Sequence, residues 1–259
     1  MHGWHHSSRD PRDLHLTSAA AITLPSSGTV NTIYQPPVRD QGSLGSCTAN
    51  AGCEAAGFAY HSETGLPDPM FSRLDLYAME RTLEGTPLSE DSGAQVRDVF
   101  KAMNRWGVCL EATWPYYIQN FGQTPPRDAV LEAIKYRAVT YRRAADLTAI
   151  KTSIINDKHP VIGGFVCYES LESAHTAQTG DVPVPEAGEQ EIGGHCIYFH
   201  GYDDDADDGH GGKGMLLFQN SWGTSWGATG LGRLPYWYVL NGQASDFWQL
   251  KKSATPVAA

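Results

Sequence analysis

The sequence predicts an α+β protein with two lobes and a cleft between them. Helical patterns occupy the first half of the chain, and short apolar strand patterns follow Pro125-Pro126. A polar segment rich in Ser, Pro and His precedes both halves. We therefore expect a leader over residues 1–23 and one domain over 24–259. The expected helical lobe covers about 45–130, and the expected β lobe covers about 131–259 together with 24–44.

Three helices are predicted in the first half. The first spans 46–60, where Ser46 is a suitable N-terminal cap and many small residues indicate tight packing on several sides. The second spans 72–81. The third spans 95–106 and ends before Gly107, a residue suited to the left-handed position after a helix.

The second half is predicted to hold mostly strands, because its apolar runs are short and rich in β-branched and aromatic residues. One helix is expected among them, over 147–156. The predicted strands are 133–142, 161–168, 194–202, 215–220 and 230–235.

The composition argues against two classes of partner. The chain has 259 residues and a formal net charge of −10, whereas nucleic acids and anionic membranes attract clustered Lys and Arg. No 18-residue apolar run is present, so no transmembrane helix is expected. The first residues lack a basic region followed by an apolar one, so we expect no Sec signal peptide. The expected location is the cytoplasm, or outside the cell by export without a recognisable signal.

The five cysteines are not spaced like a disulfide framework. Their number is odd, and no pair has a spacing typical of a bridge, so we expect none to be bridged, as in a reducing compartment. They are Cys47, Cys53, Cys109, Cys167 and Cys196.

A glycine-rich loop with Gln41 leads into Cys47, at the start of the first predicted helix. The N–H groups and dipole of a helix start stabilise a thiolate, so we expect Cys47 to have a lowered pKa and to be nucleophilic. The amide of Gln41 and the backbone N–H of Cys47 are suited to hold a developing oxyanion. Taken alone, the cysteine fits a buried structural residue better than a nucleophile, because free cysteine is among the most buried residue types.

Two later segments favour catalysis. His195 follows Gly193-Gly194 at the start of an apolar strand, and Asn220 ends another strand, shortly before Trp222. The histidine lies about 150 residues and the asparagine about 170 residues after Cys47, in the order of a Cys-His-Asn triad. An acidic, glycine-rich run over 203–214 lengthens the connection between the two strands.

With these motifs the chain resembles the papain-like cysteine peptidases over about residues 24–239. The resemblance implies that Cys47 is the nucleophile and His195 the base. It likewise implies that Asn220 orients the base and that Gln41 belongs to the oxyanion hole. Trp222 matches the indole that shields the Asn–His hydrogen bond from water.

The resemblance also implies a peptide-binding edge. Ser92-Gly93-Ala94 is similar to the family's segment that pairs with an extended peptide, and Gly194 lies in the segment before the histidine. Together with Trp222 these four residues are the expected substrate-binding set.

Some positions depart from the family's usual pattern. Leu44 replaces a half-cystine and Thr48 replaces an aromatic residue, a combination similar to bacterial members with short leaders. The family usually carries a folded prodomain, but the 23-residue leader expected here is too short to form its own core. We expect this leader either to lie in the cleft, with Trp4 and Pro11 in substrate pockets, or to be a disordered tail.

No metal or organic cofactor is expected. The run over 203–209 fails as an EF-hand loop, because Ala206 and Met215 fall on positions that need oxygen ligands, so a solvated acidic hairpin is predicted. The run over 209–214 lacks the pattern of a phosphate-binding loop. The leader histidines have no ligand spacing.

The predicted function is hydrolysis of peptide bonds through a thioester on Cys47, with an extended peptide or protein as substrate. One alternative is acyl transfer to an amine, as in a transpeptidase, because the thioester is common to both reactions. The other is a catalytically silent binding module. That alternative predicts damage to the triad or to Gln41, and all four residues are intact.

Overall fold

The computed structural model describes residues 3–8, 10–16, 23–137 and 140–252 of the chain. The predicted α+β class is confirmed: helices pack against a mostly antiparallel sheet. None of the described helices is long and apolar enough to cross a membrane.

Three helices form the helical part, as predicted. Their bounds are α1 Cys47–Thr64, α2 Arg73–Glu84 and α3 Val96–Arg105. Ser72 caps α2, because its hydroxyl accepts a hydrogen bond from the Asp75 N–H at 3.2 Å. Gly107 follows α3 with φ +84°, the left-handed conformation expected after a helix end.

Helix α1 is the central helix of the fold, and every residue from Cys47 to Tyr60 is buried. Its small residues allow neighbouring helices to approach. A Cβ placed on Gly52 would lie 2.5 Å from Val99 Cγ1, so only glycine permits this contact with α3. The expected cap at Ser46 is only partly correct. Ser46 precedes the helix, but its side chain caps no backbone N–H and instead hydrogen-bonds Tyr116 Oη at 2.5 Å.

Seven strands form the main sheet, and all its neighbouring strands are antiparallel. The strands are β2 Ser27–Thr29, β4 Thr140–Ala144, β5 Val161–Tyr168, β6 Glu191–Asp207, β7 Lys213–Gln219, β8 Leu231–Pro235 and β9 Ala244–Lys252. The strand order is β4-β9-β5-β6-β7-β8, with β2 paired to β6. Within the described residues, the barrel-like lobe expected from the sequence is an open sheet whose edge strands do not pair with each other.

The remaining elements are short. Two strands of two residues each pair in parallel, β1 Trp4–His5 and β3 Ala94–Gln95. The four short helices are α4 Arg127–Ala133, α5 Leu147–Thr152, α6 Ala174–Thr179 and α7 Tyr236–Leu240. Helix α5 lies where a helix was predicted and continues as a π-helical turn over Ser153–Asp157.

One predicted strand, over 133–142, is wrong in its first four residues. Ala133 ends α4, and a 3₁₀ turn follows over Ile134–Tyr136. Residues 138–139 lie outside the described part of the chain, and strand β4 begins at Thr140. Ala129 and Ala133, four residues apart, face a small core cluster, which gives the segment helical rather than alternating periodicity.

The acidic run over 203–214 forms the predicted hairpin between β6 and β7. Asp207 pairs with Lys213 in register, and Asp208 closes the turn by accepting the N–H groups of His210 and Gly212 at 2.8 Å. Most residues at the tip are exposed. The hairpin is therefore a solvated extension of two core strands.

Candidate active site

The three residues of the expected triad come from different elements. Cys47 is the first residue of α1, His195 lies in β6, and Asn220 directly follows β7. Because β6 and β7 are neighbouring strands, the ends that carry His195 and Asn220 meet. His195 Nε2 lies 2.8 Å from Asn220 Oδ1, and both residues are buried.

The hydrogen bond between Asn220 and His195 fixes the state of the imidazole. An amide oxygen only accepts hydrogen bonds, so His195 Nε2 carries a proton in this pair. The same Asn220 oxygen accepts the N–H of Ser221 at 2.8 Å. The Asn220 side chain is thus held by its own loop, and Nδ1 is the imidazole nitrogen suited to exchange protons.

Trp222 covers the Asn–His pair. Its ring stacks on the His195 ring with centroids 4.8 Å apart and planes inclined by 26°. Trp226 packs edge-on against Trp222 at 5.5 Å. Since these rings exclude water from the pair, the hydrogen bond lies in a low-dielectric setting, where it is stronger.

Gln41 is completely buried, and both ends of its amide are held. Its Nε2 donates to Leu44 O at 2.7 Å, and its Oε1 accepts from the Ser221 hydroxyl at 2.6 Å. The Gln41 N–H also donates to Ser221 O at 2.8 Å. Hydrogen bonds therefore connect the loop before Cys47 to the segment after Asn220. This connection holds Cys47 at a fixed distance from the part of the site that contains Asn220.

Ser221 and Tyr116 support the site but were not singled out in the sequence. Ser221 orients the Gln41 amide, and Tyr116 donates to Gln41 O at 2.9 Å while hydrogen-bonding the Ser46 hydroxyl. The position of Ser221, between Asn220 and Trp222, is the signal that could have pointed to it. Tyr116 carried no such local signal.

The expected peptide-binding edge is occupied by the leader. Ala94 N–H donates to Gly3 O at 2.8 Å, and His5 Nε2 hydrogen-bonds Ser92 O. Gly93 has φ +73°, and a Cβ on it would lie 2.0 Å from Gly3 O. Ser92, Gly93 and Ala94 thus form one continuous contact with the leader, through its Gly3 backbone and its His5 side chain.

Trp4 of the leader is buried against the sheet. A Cβ on Gly164 would lie 2.0 Å from Trp4 Cε2, and a Cβ on Gly194 would lie 2.6 Å from Trp4 Cε3. Gly194, an expected substrate-binding residue, therefore contacts the leader, whereas Trp222 lies against His195. The expectation that Pro11 enters a pocket is wrong, because Pro11 is exposed in a turn.

The rest of the leader is anchored beside the cleft by polar contacts. Ser7 N–H donates to Asp246 Oδ2 at 3.0 Å. The Arg97 guanidinium on α3 forms ion pairs of 2.6 Å with both Asp10 and Asp13. Arg12 and Arg97 hold the pKa of the Asp10 carboxyl well below its usual range, so the Asp10 carboxylate stays charged and paired across ordinary pH.

The Cys47 thiol differs from the expectation of a lowered pKa. It is fully buried, and burial raises its pKa to about 11, although backbone groups of Cys196 and Gly3 act in the opposite direction. The helix start does not compensate for the loss of water. With the leader in place, Cys47 is therefore a neutral thiol.

The other thiols and the metal-ligand candidates play no part in the site. All five cysteines are buried and unbridged. Within the ranges described above, no group of three or more His, Cys, Asp or Glu side chains is arranged to hold a metal ion.

Comparison with known proteins gives consistent results. Residues 28–241 match the sequence profile of the papain family of cysteine proteases. An uncharacterized peptidase C1-like protein, L477, of Acanthamoeba polyphaga mimivirus is 38% identical over 230 residues, which covers 84% of this chain and 70% of that protein.

Solved structures share the fold. Xylellain, a cysteine protease from Xylella fastidiosa, superposes with a TM-score of 0.84 at 30% identity, covering 97% of this chain and 96% of that chain. Procathepsin B S9 from Trypanosoma congolense superposes with a TM-score of 0.74 at 14% identity, covering 100% and 87%. The second likeness concerns the fold alone.

Proposed function

The chain belongs to the papain family of cysteine proteases, and we propose that it cleaves peptide bonds through a thioester on Cys47. It is a cysteine peptidase by family membership.

In the first step, the Cys47 sulfur attacks the carbonyl carbon of the scissile peptide bond and forms a C–S bond. His195, in its imidazolium form, gives the proton from Nδ1 to the leaving nitrogen as the C–N bond breaks. Asn220 keeps the ring oriented through Nε2. The products of this step are a free amine and an acyl-enzyme.

In the second step, the neutral His195 takes a proton from water, and the hydroxide oxygen attacks the thioester carbon. The C–S bond breaks, the carboxylic acid leaves, and the proton returns to the Cys47–His195 pair. Both steps pass through a tetrahedral oxyanion. An amide has two N–H groups, so Gln41 can bind that oxyanion while it donates to Leu44 O, together with the Cys47 N–H.

The observation that carries this proposal is the 2.8 Å hydrogen bond between His195 and Asn220, joined to the loop before Cys47 through Ser221 and Gln41. A core histidine needs no such connection to a helix-start cysteine. The interlocked loops preorganise nucleophile, base and oxyanion donor, which is what catalysis by a thiolate–imidazolium pair requires.

We further propose that the leader is the chain's own inhibitor. It hydrogen-bonds the edge that an extended substrate would use, and its Gly3 lies beside the Cys47 sulfur. Substrate and leader compete for one surface, so hydrolysis requires the leader to move. When the leader moves away, water returns to Cys47. Solvation then lowers the pKa of the thiol and permits the thiolate to form.

The test is product analysis on a mixed peptide library, with the full chain and with Trp4→Ala to loosen the leader. We expect new peptide termini identified by mass spectrometry, at a higher rate for Trp4→Ala. An added primary amine separates the two thioester chemistries, since amide products in place of acids would assign acyl transfer. Intact peptides from both proteins would refute the peptidase mechanism.

A further inference from the structure

Tyr77, on α2, and Asp91, in the loop before β3, join two parts of the active site by hydrogen bonds. The Asp91 carboxyl accepts the backbone N–H of Gly45, which lies 3.0 Å from each of its oxygens. The Tyr77 hydroxyl donates to Asp91 Oδ1 at 2.5 Å and accepts the backbone N–H of Gly93 at 2.9 Å. Gly45 lies two residues before Cys47, and Gly93 belongs to the peptide-binding edge. One hydroxyl and one carboxyl thus connect this edge to the loop before the nucleophile.

The peptide group between Leu44 and Gly45 links Asp91 to Gln41. Its N–H donates to the Asp91 carboxyl, and its carbonyl oxygen accepts from Gln41 Nε2 at 2.7 Å. A hydrogen bond to a carboxylate is stronger than one between neutral groups, and hydrogen bonds in a chain polarise one another. Asp91 therefore holds the carbonyl that orients the Gln41 amide. The direction of the second N–H of that amide, which we assign to the oxyanion, depends on this arrangement.

Tyr77 holds the peptide-binding edge from the inside. It is completely buried, and the N–H of Gly93 is turned towards its hydroxyl. The next N–H along the chain, that of Ala94, donates to Gly3 O at 2.8 Å, so it faces the occupant of the edge. Burial and the Asp91 carboxyl raise the pKa of the Tyr77 hydroxyl, which therefore keeps its proton and donates to Asp91. By fixing Gly93, the hydroxyl sets the direction of the N–H that pairs with a peptide.

No covalent bond fixes this region of the chain. Leu44 stands where the papain family usually has a half-cystine, and all five cysteines are unbridged. Asp91 is an exposed residue, so its side chain is not held in place by the apolar core. Its orientation comes from the two donors, the Gly45 N–H and the Tyr77 hydroxyl.

We propose that Asp91 and Tyr77 are positioning residues for peptide hydrolysis: Asp91 positions the oxyanion hole through Gly45, and Tyr77 positions the bound peptide through Gly93. The proposal rests on the proposed peptidase function and adds two residues that act through the backbone. Because they act on different parts of the site, their loss should change different constants. A displaced Gly45 loosens the oxyanion donor and lowers kcat, whereas a displaced Gly93 weakens peptide binding and raises KM.

The first test measures KM, and kcat per titrated active site, for one amide substrate in a Trp4→Ala background, where the leader is loosened. Asp91→Leu removes both acceptor oxygens and should lower kcat about tenfold, whereas Asp91→Asn retains one acceptor and should stay within about threefold of the background. Tyr77→Phe should raise KM about threefold to tenfold and leave kcat within about threefold. Unchanged constants, or the same pattern of change in Asp91→Leu and Tyr77→Phe, would overturn the proposal.

Tyr202→Phe is the matched control for the loss of a tyrosine hydrogen bond. Tyr202 is buried in β6, further along the strand from His195, and its hydroxyl donates to Pro25 O at 2.8 Å. This variant should lose a similar amount of thermal stability to Tyr77→Phe and keep both kinetic constants. If it instead raises KM as Tyr77→Phe does, the effect comes from stability and the positioning role of Tyr77 is wrong.

The second test needs no hydrolysis and keeps the leader unchanged. A looser edge at Gly93 should hold the leader less firmly, so Tyr77→Phe should speed iodoacetamide modification of Cys47 about threefold or more over wild type. Tyr202→Phe should not change this rate. Equal rates for Tyr77→Phe and wild type would contradict the role of Tyr77.

The two tests separate failure of this inference from failure of the peptidase mechanism. If the Trp4→Ala chain cleaves peptides and the Asp91 and Tyr77 variants behave like the Tyr202 control, the positioning roles are wrong and the mechanism stands. If no variant cleaves any peptide but Tyr77→Phe still exposes Cys47, the proposed function has failed and the role of Tyr77 at the edge stands.

Discussion

The two sides of Cys47 differ in what occupies them. On one side the leader fills the surface formed by Gly93, Ala94, Gly164 and Gly194. On the other side, around Trp222, lies an open cavity of about 350 Å³. In the described part of the chain, the cavity is lined by Asp40, Gly42, Leu171, Glu172, Ala177, Trp222 and Trp226, none of which belongs to the leader.

This difference separates two properties of the enzyme. On the filled side, backbone hydrogen bonds and the buried ring of Trp4 hold the leader in place. Changes on this side should therefore alter the access of substrates and reagents to Cys47. The open side carries the indole that stacks on His195, so changes there should alter turnover of substrate that has already bound. Four substitutions test this division, in order of expected effect.

The largest effect is expected from a substitution at Cys47, where the two sides meet. Cys47→Ala should abolish peptide hydrolysis, because it removes the nucleophile and leaves the rest of α1 in place. The control is Cys53→Ala, which removes a buried thiol from the same helix and should retain activity if the fold is intact. Hydrolysis of a fluorogenic peptide is the measurement, with thermal melting to compare the folds. Substantial activity in Cys47→Ala would contradict the assignment.

Trp4→Ala should make Cys47 more reactive. Burial raises the thiol pKa to about 11 in the covered protein, so the covered state retains a proton that the uncovered state loses at lower pH. Binding of the leader over Cys47 is therefore favoured at low pH. This binding weakens as the pH rises through the pKa of the uncovered Cys47 thiol.

The measurement is the rate of iodoacetamide modification of Cys47 between pH 5 and pH 9, followed by peptide mapping. We expect Trp4→Ala to react at least about tenfold faster than wild type near pH 7, with a midpoint below the ordinary thiol value of about 8.5. Identical pH profiles for the two proteins would show that the leader does not control the thiol.

Trp222→Leu should lower kcat without changing the access of substrates and reagents to Cys47. Loss of the stacked ring admits water to the His195–Asn220 hydrogen bond and loosens the imidazole, so we expect kcat to fall about tenfold. In a Trp4→Ala background, KM should change little. The rate of iodoacetamide modification of Cys47, measured for Trp222→Leu with the leader unchanged, reports on how well the leader covers the thiol. A large increase in that rate over wild type would contradict the proposed division between the two sides.

Arg97→Gln should give the smallest effect, on the filled side. It removes the ion pairs with Asp10 and Asp13, which hold the leader to α3, so we expect basal hydrolysis to rise about threefold to tenfold. Lys101→Gln is the matched control, because Lys101 lies on the same helix and pairs with Asp98 instead of the leader. High salt should reproduce the effect of Arg97→Gln in wild type. Equal rates for both variants would exclude an electrostatic anchor.

The triad candidates could be identified from the sequence because each has a local signal. Cys47 follows a glycine-rich loop at a helix start, His195 follows two glycines, and Asn220 precedes a tryptophan by two residues. Helix α1 and strand β5 were predicted for the same reason, since their patterns are short-range and unbroken. In these cases local chemistry and final structure agree.

The features that were missed depend on distant residues. Strand β9 has polar Asp246 and Gln249 among its buried positions, so it does not read as an apolar strand. Gly164 and Gly194 contact Trp4 together only after β5 and β6 pair. The pKa of Cys47 is raised by burial, which depends on parts of the chain far from it in the sequence and which no local pattern reports.

The hydrogen bond from Ser7 to Asp246 joins residues 239 positions apart and has a consequence for biosynthesis. The leader precedes the sheet in the chain, so the ribosome makes it earlier. Strand β9, which lies between β4 and β5, is made after both of them, so the sheet is complete only once β9 has been made. By then the leader has long been available to bind. A newly made molecule is thus expected to close its cleft as it folds, and the cell is not exposed to an unrestrained protease during synthesis.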